Sequence, residues 1–240
     1  MTLAILSDIH GNLPALEAVI ADARAAGATA FVNLGDSLSG PLWPAETADL
    51  LMRADWPTIA GNHERQLLTD PPDRIAPSDR FARAALDAGQ LRWLAAQPAT
   101  RVVHGIDMVH GTARCDHEHL LVTIEPDGLR AATDAEVAAR LGDACAPMTL
   151  CGHTHLPDVR TLADGRIVAN PGSVGLQAYL GANPYPYAVQ TGDPRARYAL
   201  IRGDDVDLRA VAYDHAAAAA KAAREGQGDW AFALRTGLAR

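Results

Sequence analysis

A chain of 240 residues, 48% of them hydrophobic, can bury a substantial core and is too apolar to be intrinsically disordered. Its net charge of −8 and its lack of basic runs argue against binding to long nucleic acids. No apolar run approaches the length of a membrane span, and the first residues lack the features of a signal peptide. We therefore expect a cytoplasmic protein with no membrane partner.

The N-terminal part alternates predicted strands with predicted helices. Strands are predicted at 2–6, 30–34 and 57–60, and helices at about 12–27 and 44–53. This βαβαβ order predicts a mainly parallel sheet. Each strand is followed directly by polar residues, which should therefore lie at the carboxyl edge of the sheet, where such folds bind ligands.

The remaining elements form a mixed series with no linker, which favours a single domain over residues 1–240. Segment 176–194, rich in Gly, Pro and Tyr, is predicted to be one long irregular loop, serving either a substrate pocket or an ordinary surface connection. The predicted elements are helices at 78–88, 91–97, 133–141, 214–224 and around Trp230, a strand at 148–151, and hairpins at 100–110, 159–169 and 198–213.

The three cysteines, Cys115, Cys145 and Cys151, are an odd number without a CxxC pair. This usage indicates reduced cytosolic thiols rather than a disulfide framework. We expect all three to be small buried apolar residues.

Five polar strings follow apolar runs in a fixed order. Any one of them is weak evidence for a metal, because short Asp and His strings are common. Together they offer two aspartates, one asparagine and four or five histidines, enough for two metal ions that share a carboxylate. The strings are Asp8-Ile9-His10, Gly35-Asp36, Gly61-Asn62-His63-Glu64, His110-Gly111 and Gly152-His153-Thr154-His155.

A paired-metal site of this composition predicts hydrolysis of a phosphate ester. Two divalent ions about 3.5–4 Å apart neutralise the phosphate oxygens and lower the pKa of a bridging water. Asp36 is the best bridging candidate because it lies in the chain between the two ligand groups. The ligand set suits Mn, Fe, Zn, Ni or Co. The other histidines (His104, His117, His119 and His215) are expected to be hydrogen-bonded or exposed.

The ordered strings resemble those of the calcineurin-like metallophosphoesterases, especially the compact bacterial and archaeal phosphodiesterase-like branch. The resemblance implies an α/β fold: a four-layer α/β/β/α sandwich of two mixed sheets flanked by helices. It implies that His63 meets the phosphate and protonates the departing alkoxide. It further implies one metal held by Asp8, His10, Asp36 and His155, and a second held by Asp36, Asn62, His110 and His153.

Two departures from the protein-phosphatase branch disfavour that activity. Ser39 stands where that branch has an aspartate that pairs with the acid histidine, and Ala60 precedes Gly61 where an arginine is expected. The partner of His63 is therefore open, as is the choice between phosphodiester and phosphomonoester. Segment 170–175 either contacts a phosphate oxygen through its amides or is a glycine turn between two strands.

Two other classes of function fit the same residues less well. A non-catalytic binding module on this fold would lack key catalytic histidines, and this chain has them. A structural zinc site usually recruits cysteine thiolates, whereas these ligands are oxygen and nitrogen atoms from distant segments. We therefore expect a small phosphate ester as the substrate.

Overall fold

Two β-sheets face one another at the centre of the protein and carry helices on their outer faces. The computed structural model describes residues 1–71, 73–142, 144 and 146–240. The strands are β1 (Leu3–Leu6), β2 (Ala30–Asn33), β3 (Thr100–Val103), β4 (Ile106–Val109), β5 (Val122–Glu125), β6 (Gly128–Ala131), β7 (Met148–Leu150), β8 (Asp158–Thr161), β9 (Ile167–Asn170), β10 (Ala178–Gly181), β11 (Tyr187–Gln190), β12 (Ala196–Arg202) and β13 (Asp205–Val211). The helices are α1 (Leu13–Ala25), α2 (Pro44–Ala54), α3 (Asn62–Thr69), α4 (Pro77–Ala85), α5 (Ala88–Ala95), α6 (Asp134–Leu141), α7 (His215–Arg224) and α8 (Gly228–Thr236).

Both central sheets are mixed, as the family resemblance implies. The first has the order β13-β12-β1-β2, in which β1 and β2 are parallel and the other pairs are antiparallel. The second has the order β3-β4-β7-β9-β8, with parallel pairing among β4, β7 and β9 and antiparallel strands at both edges. Two small hairpins, β5–β6 and β10–β11, stand outside these sheets.

The four layers arise because successive side chains on a strand point to opposite faces of its sheet, so that one face packs on the other sheet and the opposite face on helices. Leu3 and Ile5 of β1 point to the core between the sheets, where they meet residues such as Met108 of the second sheet. Their neighbours on β1 point the other way, into a cluster with α1. The outer face of the second sheet packs on α6. Each fully buried aliphatic side chain stabilises the fold by about 1.5–3 kcal/mol, so this order of layers holds the sheet edges in fixed positions.

Several sequence predictions were wrong in detail. The first sheet is not mainly parallel, because the β12–β13 hairpin occupies the free side of β1. The strand predicted at 57–60 is reduced to one bridge between Asn33 and Thr58. Segment 176–194 contains the β10–β11 hairpin rather than one irregular loop. In the third polar string, residues 62–64 already belong to α3.

The predicted helices at 78–88 and 91–97 are displaced toward the N-terminus. Asp87 separates α4 from α5. Its side chain accepts hydrogen bonds from the amides of Gly89 and Gln90 and thereby caps the N-terminus of α5. The β5–β6 hairpin was not predicted at all, although Asp127-Gly128 at its turn is a hairpin signal. Among the helices of the described residues, none is long and apolar enough to cross a membrane.

The cysteines are not all alike. Cys151 is buried, as expected, and its burial raises the pKa of its thiol. Cys115 is partly exposed, contrary to expectation, and its Sγ lies 3.4 Å from His117 Nδ1. Cys145 lies outside the described residues.

Candidate metal centre

The polar strings converge at one edge of the two sheets because each follows a strand whose carboxyl end lies there. Asp8 and His10 follow β1, and Asp36 follows β2. From the second sheet, His110 follows β4, and the two histidines of the fifth string follow β7. Asn62 and His63 come from the first turn of α3. All the residues predicted for the site are thus brought to one region.

One group of possible ligands consists of Asp8, His10 and His155, all buried. His155 Nε2 lies 3.3 Å from Asp8 Oδ1 and 3.2 Å from His10 Nε2. The three ligand atoms lie within 4.8 Å of one another. Such a spacing is compatible with coordination of one ion by oxygen and imidazole nitrogen.

A second group consists of Asp36, His110 and His153, again within 4.8 Å. His110 Nε2 lies 3.0 Å from Asp36 Oδ2 and 3.8 Å from Asp8 Oδ1 of the first group. The two groups are therefore adjacent. The groups contain six of the seven ligands that the family resemblance implies, with Asp36 in the second group only and Asn62 in neither.

Backbone carbonyls orient three of the rings. The Nδ1 atoms of His10, His110 and His155 donate to the carbonyl oxygens of Ser39, Leu34 and Leu176 at 2.8, 2.8 and 2.6 Å. A donating Nδ1 leaves Nε2 as the nitrogen that can bind a metal once it carries no proton. All three Nε2 atoms accordingly face the shared centre.

The backbone is in the left-handed region at five site residues, a conformation that costs energy for residues other than glycine. Hydrogen bonds between the site loops maintain it: the Asp8 amide donates to Gly35 O at 3.0 Å, and the His10 amide donates to Asp36 O at 2.9 Å. Such strain concentrates at functional sites, where it aims the side chains. The five φ angles are 53° at Asp8, 52° at His10, 52° at Asp36, 66° at His153 and 56° at His155.

Glu64 clamps the loop that carries Asp36. Its buried carboxylate accepts from the amides of Asp36, Ser37 and Gly61 at 2.7, 2.8 and 2.7 Å. Gly61 is required at this point because a Cβ atom there would overlap with Asp36 Oδ1. The sequence analysis placed Glu64 in the third string but gave it no role, since the role depends on the three-dimensional path of the backbone.

The loop at 170–175 supports the metal centre and does not present free amides to a phosphate. The amides of Val174 and Gly175 donate to Ser7 O and Asp8 O at 3.0 and 2.9 Å. Ser173 Oγ also donates to Asp8 O, at 2.8 Å. A Cβ at Gly175 would overlap with Ile9 O, so the close approach needs glycine. Of the two interpretations of this loop, the structural one fits.

Three buried site atoms form no well-aligned hydrogen bond within the described part of the chain: Asp8 Oδ1, Asn62 Oδ1 and His110 Nε2. Two of them still face another ligand, because His110 Nε2 lies 3.0 Å from Asp36 Oδ2 and Asp8 Oδ1 lies 3.3 Å from His155 Nε2. Buried polar atoms are rarely left without a partner, because the cost is about 1–3 kcal/mol each. All three are atoms of the kind that coordinate divalent metals, and each belongs to a predicted ligand. The donor set therefore fits metal binding.

The charges of the site also suit cations. Burial, together with the neighbouring His155, lowers the pKa of His10 to about 4, so its ring is neutral at pH 7. Burial alone would raise the pKa of Asp36, but His110, His63 and His10 together outweigh burial and hold that pKa well below its usual value. Conversely, Asp36 outweighs the effect of burial on His110 and raises the pKa of that imidazole to about 10. The proton on His110 thus supplies a positive charge at the position where a cation would lie.

Comparison with known proteins decides the family. The model of the calcineurin-like phosphoesterase superfamily domain matches residues 1–192. The chain belongs to this superfamily. A metallophosphoesterase from Sphaerobacter thermophilus is 26% identical, with 99% of each chain covered and a TM-score of 0.77. A hypothetical protein from Pyrococcus horikoshii shares the fold at 18% identity, with 98% of each chain covered and a TM-score of 0.75.

An uncharacterized protein of Methanocaldococcus jannaschii is also similar, with 26% identity over 208 residues, which is 78% of this chain and 81% of that protein. These bacterial and archaeal relatives confirm the resemblance seen in the sequence. The fold and the family of this calcineurin-like phosphoesterase are therefore those that its five polar strings predict.

In this member of the superfamily, His63, the expected acid, has a carboxylate partner that was not predicted from the sequence. His63 Nδ1 lies 2.9 and 3.1 Å from the two carboxylate oxygens of Asp79, whose side chain is fully buried. Asp79 comes from α4, a different element from the loop that carries Ser39. Burial alone would lower the pKa of His63, but Asp36 and Asp79 outweigh it and raise that pKa to about 9. Only the packing of α3 on α4 reveals this pair.

Of the remaining histidines, His119 is hydrogen-bonded, as expected, but it also contacts a predicted ligand. His119 is buried, bonds Tyr187 Oη at 3.4 Å, and packs 5.1 Å from the His153 ring, so it belongs to the wall of the site. His117 is exposed, as expected, in a group with Cys115 and Asp116. Asp116 in that group is held by both donors of Arg65, at 2.7 and 2.9 Å.

Proposed function

We propose that this protein is a metal-dependent phosphoesterase that hydrolyses a small phosphodiester or phosphomonoester. The observation that supports this most strongly is the pair of adjacent ligand groups, in which Asp8 Oδ1 and His110 Nε2 are buried without a well-aligned hydrogen bond. Membership of the calcineurin-like phosphoesterase superfamily agrees with a hydrolase.

Each group of ligands would hold one divalent ion, with Asp36 shared between the ions. Asp8, His10 and His155 complete one site, and Asn62, His110 and His153 complete the other. Mn, Fe, Zn, Ni and Co all suit these oxygen and nitrogen donors. When bound, such a pair of ions neutralises the charge on the phosphate oxygens and makes a water molecule acidic enough to attack phosphorus.

His63 serves as the general acid. Its Nδ1 is held by Asp79, so Nε2 is the nitrogen free to give a proton to the leaving oxygen as the bond to phosphorus breaks. Its side chain is 26% exposed, which allows contact with a substrate. Asp79 fixes the ring orientation and stabilises the protonated imidazole, a positioning function that does not require contact with the substrate.

A small substrate fits this proposal better than a large one. The net charge of −8 opposes long nucleic acids, and the absence of the protein-phosphatase residues at positions 39 and 60 disfavours phosphoproteins. A binding module that has lost catalysis is also disfavoured, because every proposed ligand and His63 are present. The cytoplasmic location stays a prediction.

Hydrolysis of bis-(p-nitrophenyl) phosphate and of p-nitrophenyl phosphate by stripped protein reloaded with Mn²⁺ tests the proposal. We expect Asp36→Asn to abolish turnover while the circular dichroism spectrum is unchanged, because the shared carboxylate is lost. Asp204→Asn, in the exposed turn between β12 and β13, is the matched control and should keep full activity. Full turnover by Asp36→Asn, or none by the reloaded wild type with any of the five metals, would contradict the proposal.

A further inference from the structure

A cavity of about 290 Å³ lies beside the metal centre, between α4, the β10–β11 hairpin and α8. This volume is close to the lower end of small-molecule pockets, which begin at about 300 Å³. It suits one compact group rather than a polymer. Its main walls are Ser78, Leu176, Tyr179, Leu180, Trp230 and Arg240.

The cavity shares these walls with the residues of the metal centre. The Trp230 ring packs edge-on against His10, with the ring centroids 5.7 Å apart. Tyr179 packs 4.9 Å from the His155 ring, and its hydroxyl donates to His153 O at 3.2 Å. A ligand in the cavity would therefore lie next to the proposed reaction centre.

The cavity also lies on the side of the acid histidine. Ser78, one of its walls, directly precedes Asp79, which holds His63. His10, the ring that Trp230 contacts, also lies 5.4 Å from the His63 ring. The part of a phosphate ester that leaves as an alcohol takes its proton from the acid and must depart on this side.

The chemistry of the walls favours a flat aromatic group. The indole of Trp230 and the phenol ring of Tyr179 offer two aromatic surfaces, and Leu176 and Leu180 add aliphatic ones. Arg240 and Asp229, whose charged groups lie 3.5 Å apart, add polar groups to the lining. A lining of aromatic, aliphatic and polar groups is suited to a heterocycle, which stacks through its faces and hydrogen-bonds through its edge.

We propose that this cavity binds the leaving alcohol of the substrate and selects one that carries a purine-sized flat aromatic group. The inference rests on the proposed function and adds a substrate class to it. Trp230 and Arg240 lie beyond residues 1–192, the segment that matches the superfamily model. The selectivity therefore depends on residues outside the part of the chain that the superfamily model matches.

Matched substrates test the selectivity. Adenosine 5′-phosphate and ribose 5-phosphate, each as monoester and as methyl diester, lose the same primary alcohol oxygen and differ only in the base. With Mn²⁺-loaded protein, we expect kcat/KM for release of the alcohol to be at least about tenfold higher for the adenosine compound, the size of one stacking contact. Trp230→Leu should bring the ratio toward one. Trp93→Leu, the same change in α5 outside the cavity, should leave the ratio as in wild type.

A binding measurement without metal separates this proposal from the proposed function. Saturation-transfer NMR on stripped wild-type protein should show binding of adenosine and none of ribose, and Trp230→Leu should lose the adenosine signal. Adenosine binding that depends on Trp230 in a protein that hydrolyses no ester would support the cavity and contradict the hydrolase. Hydrolysis with a ratio near one, or adenosine binding that is unchanged in Trp230→Leu, would overturn the cavity proposal and leave the hydrolase standing.

Discussion

Asp79→Asn is the substitution that separates acid catalysis from metal binding. The change removes a buried carboxylate 2.9 Å from His63 Nδ1 and replaces it with a neutral side chain of the same shape. Cations bound at the centre would offset the charge of Asp36, which leaves Asp79 as the main carboxylate that raises the pKa of His63. We therefore expect this pKa to fall in the variant.

The magnitude follows from the hydrogen bond. A bond to a charged partner contributes about 1.5–3 kcal/mol and one between neutral groups about 0.5–1.5 kcal/mol, so the change costs the protonated ring about 1–2 kcal/mol. At 1.36 kcal/mol for each pKa unit, the pKa of His63 falls by about one unit. Since the acid must be protonated, the high-pH limb of the rate profile should move down by about one pH unit.

The assay compares two leaving groups across pH 6 to 10. p-Nitrophenolate leaves without a proton, whereas an alkyl alkoxide needs one, and general acid catalysis contributes about 10²–10⁴-fold. Asp79→Asn should therefore slow a methyl ester at least about tenfold more than a p-nitrophenyl ester at pH 9. Equal losses on both esters, with the high-pH limb unmoved, would refute the role of the pair. Unchanged Mn²⁺ affinity in the variant serves as the control for the metal centre.

Three further predictions concern the protein without metal. Glu64→Gln should lower the free energy of unfolding by about 1–3 kcal/mol, because the amide nitrogen that replaces one carboxylate oxygen cannot accept from the loop amides bound to that oxygen. Urea titration checks this, with exposed Glu17→Gln as the control that should change by less than about 0.5 kcal/mol. Mn²⁺ binding at pH 7.5 should release about one proton from His110, because the pKa of this imidazole is raised to about 10 and a ligand must be unprotonated. Calorimetry in two buffers of different ionisation enthalpy measures the number of protons released. No release would contradict the role of His110 as a ligand. In the folded protein the pKa values of His63 and His110 are about 9 and 10, above the ordinary 6.5. Their contribution to stability is therefore complete below pH 6.5 and is lost as the pH rises to 10. A urea midpoint that rises over this range would contradict the assignment.

The ligand residues could be found from the sequence because strand and motif are adjacent in the chain. An apolar run followed by Asp8 or by Asp36 places a carboxylate at a strand end, and parallel neighbours such as β1 and β2 bring such ends together. The order of the strings then narrows the chemistry to one family. The distances between the ligand atoms divide the aspartates and histidines into two adjacent groups, and the resemblance likewise implies two ligand sets.

The supporting residues could not be found in this way. Asp79 lies 16 residues after His63 in a helix with no motif of its own, and only the packing of α4 against α3 brings the two together. Glu64 acts through three backbone amides whose positions depend on the folded loop. Trp230 reaches His10 from the far end of the chain. Each of these contacts is set by tertiary packing, which local patterns do not encode.

Anomalous diffraction from crystals of the protein loaded with manganese tests the central claim most directly. The account predicts two peaks about 3.5–4 Å apart, with the Asp36 carboxylate between them and the imidazoles of His10 and His110 on opposite ions. A single peak, or two peaks with the Asp36 side chain turned away from both, would contradict it.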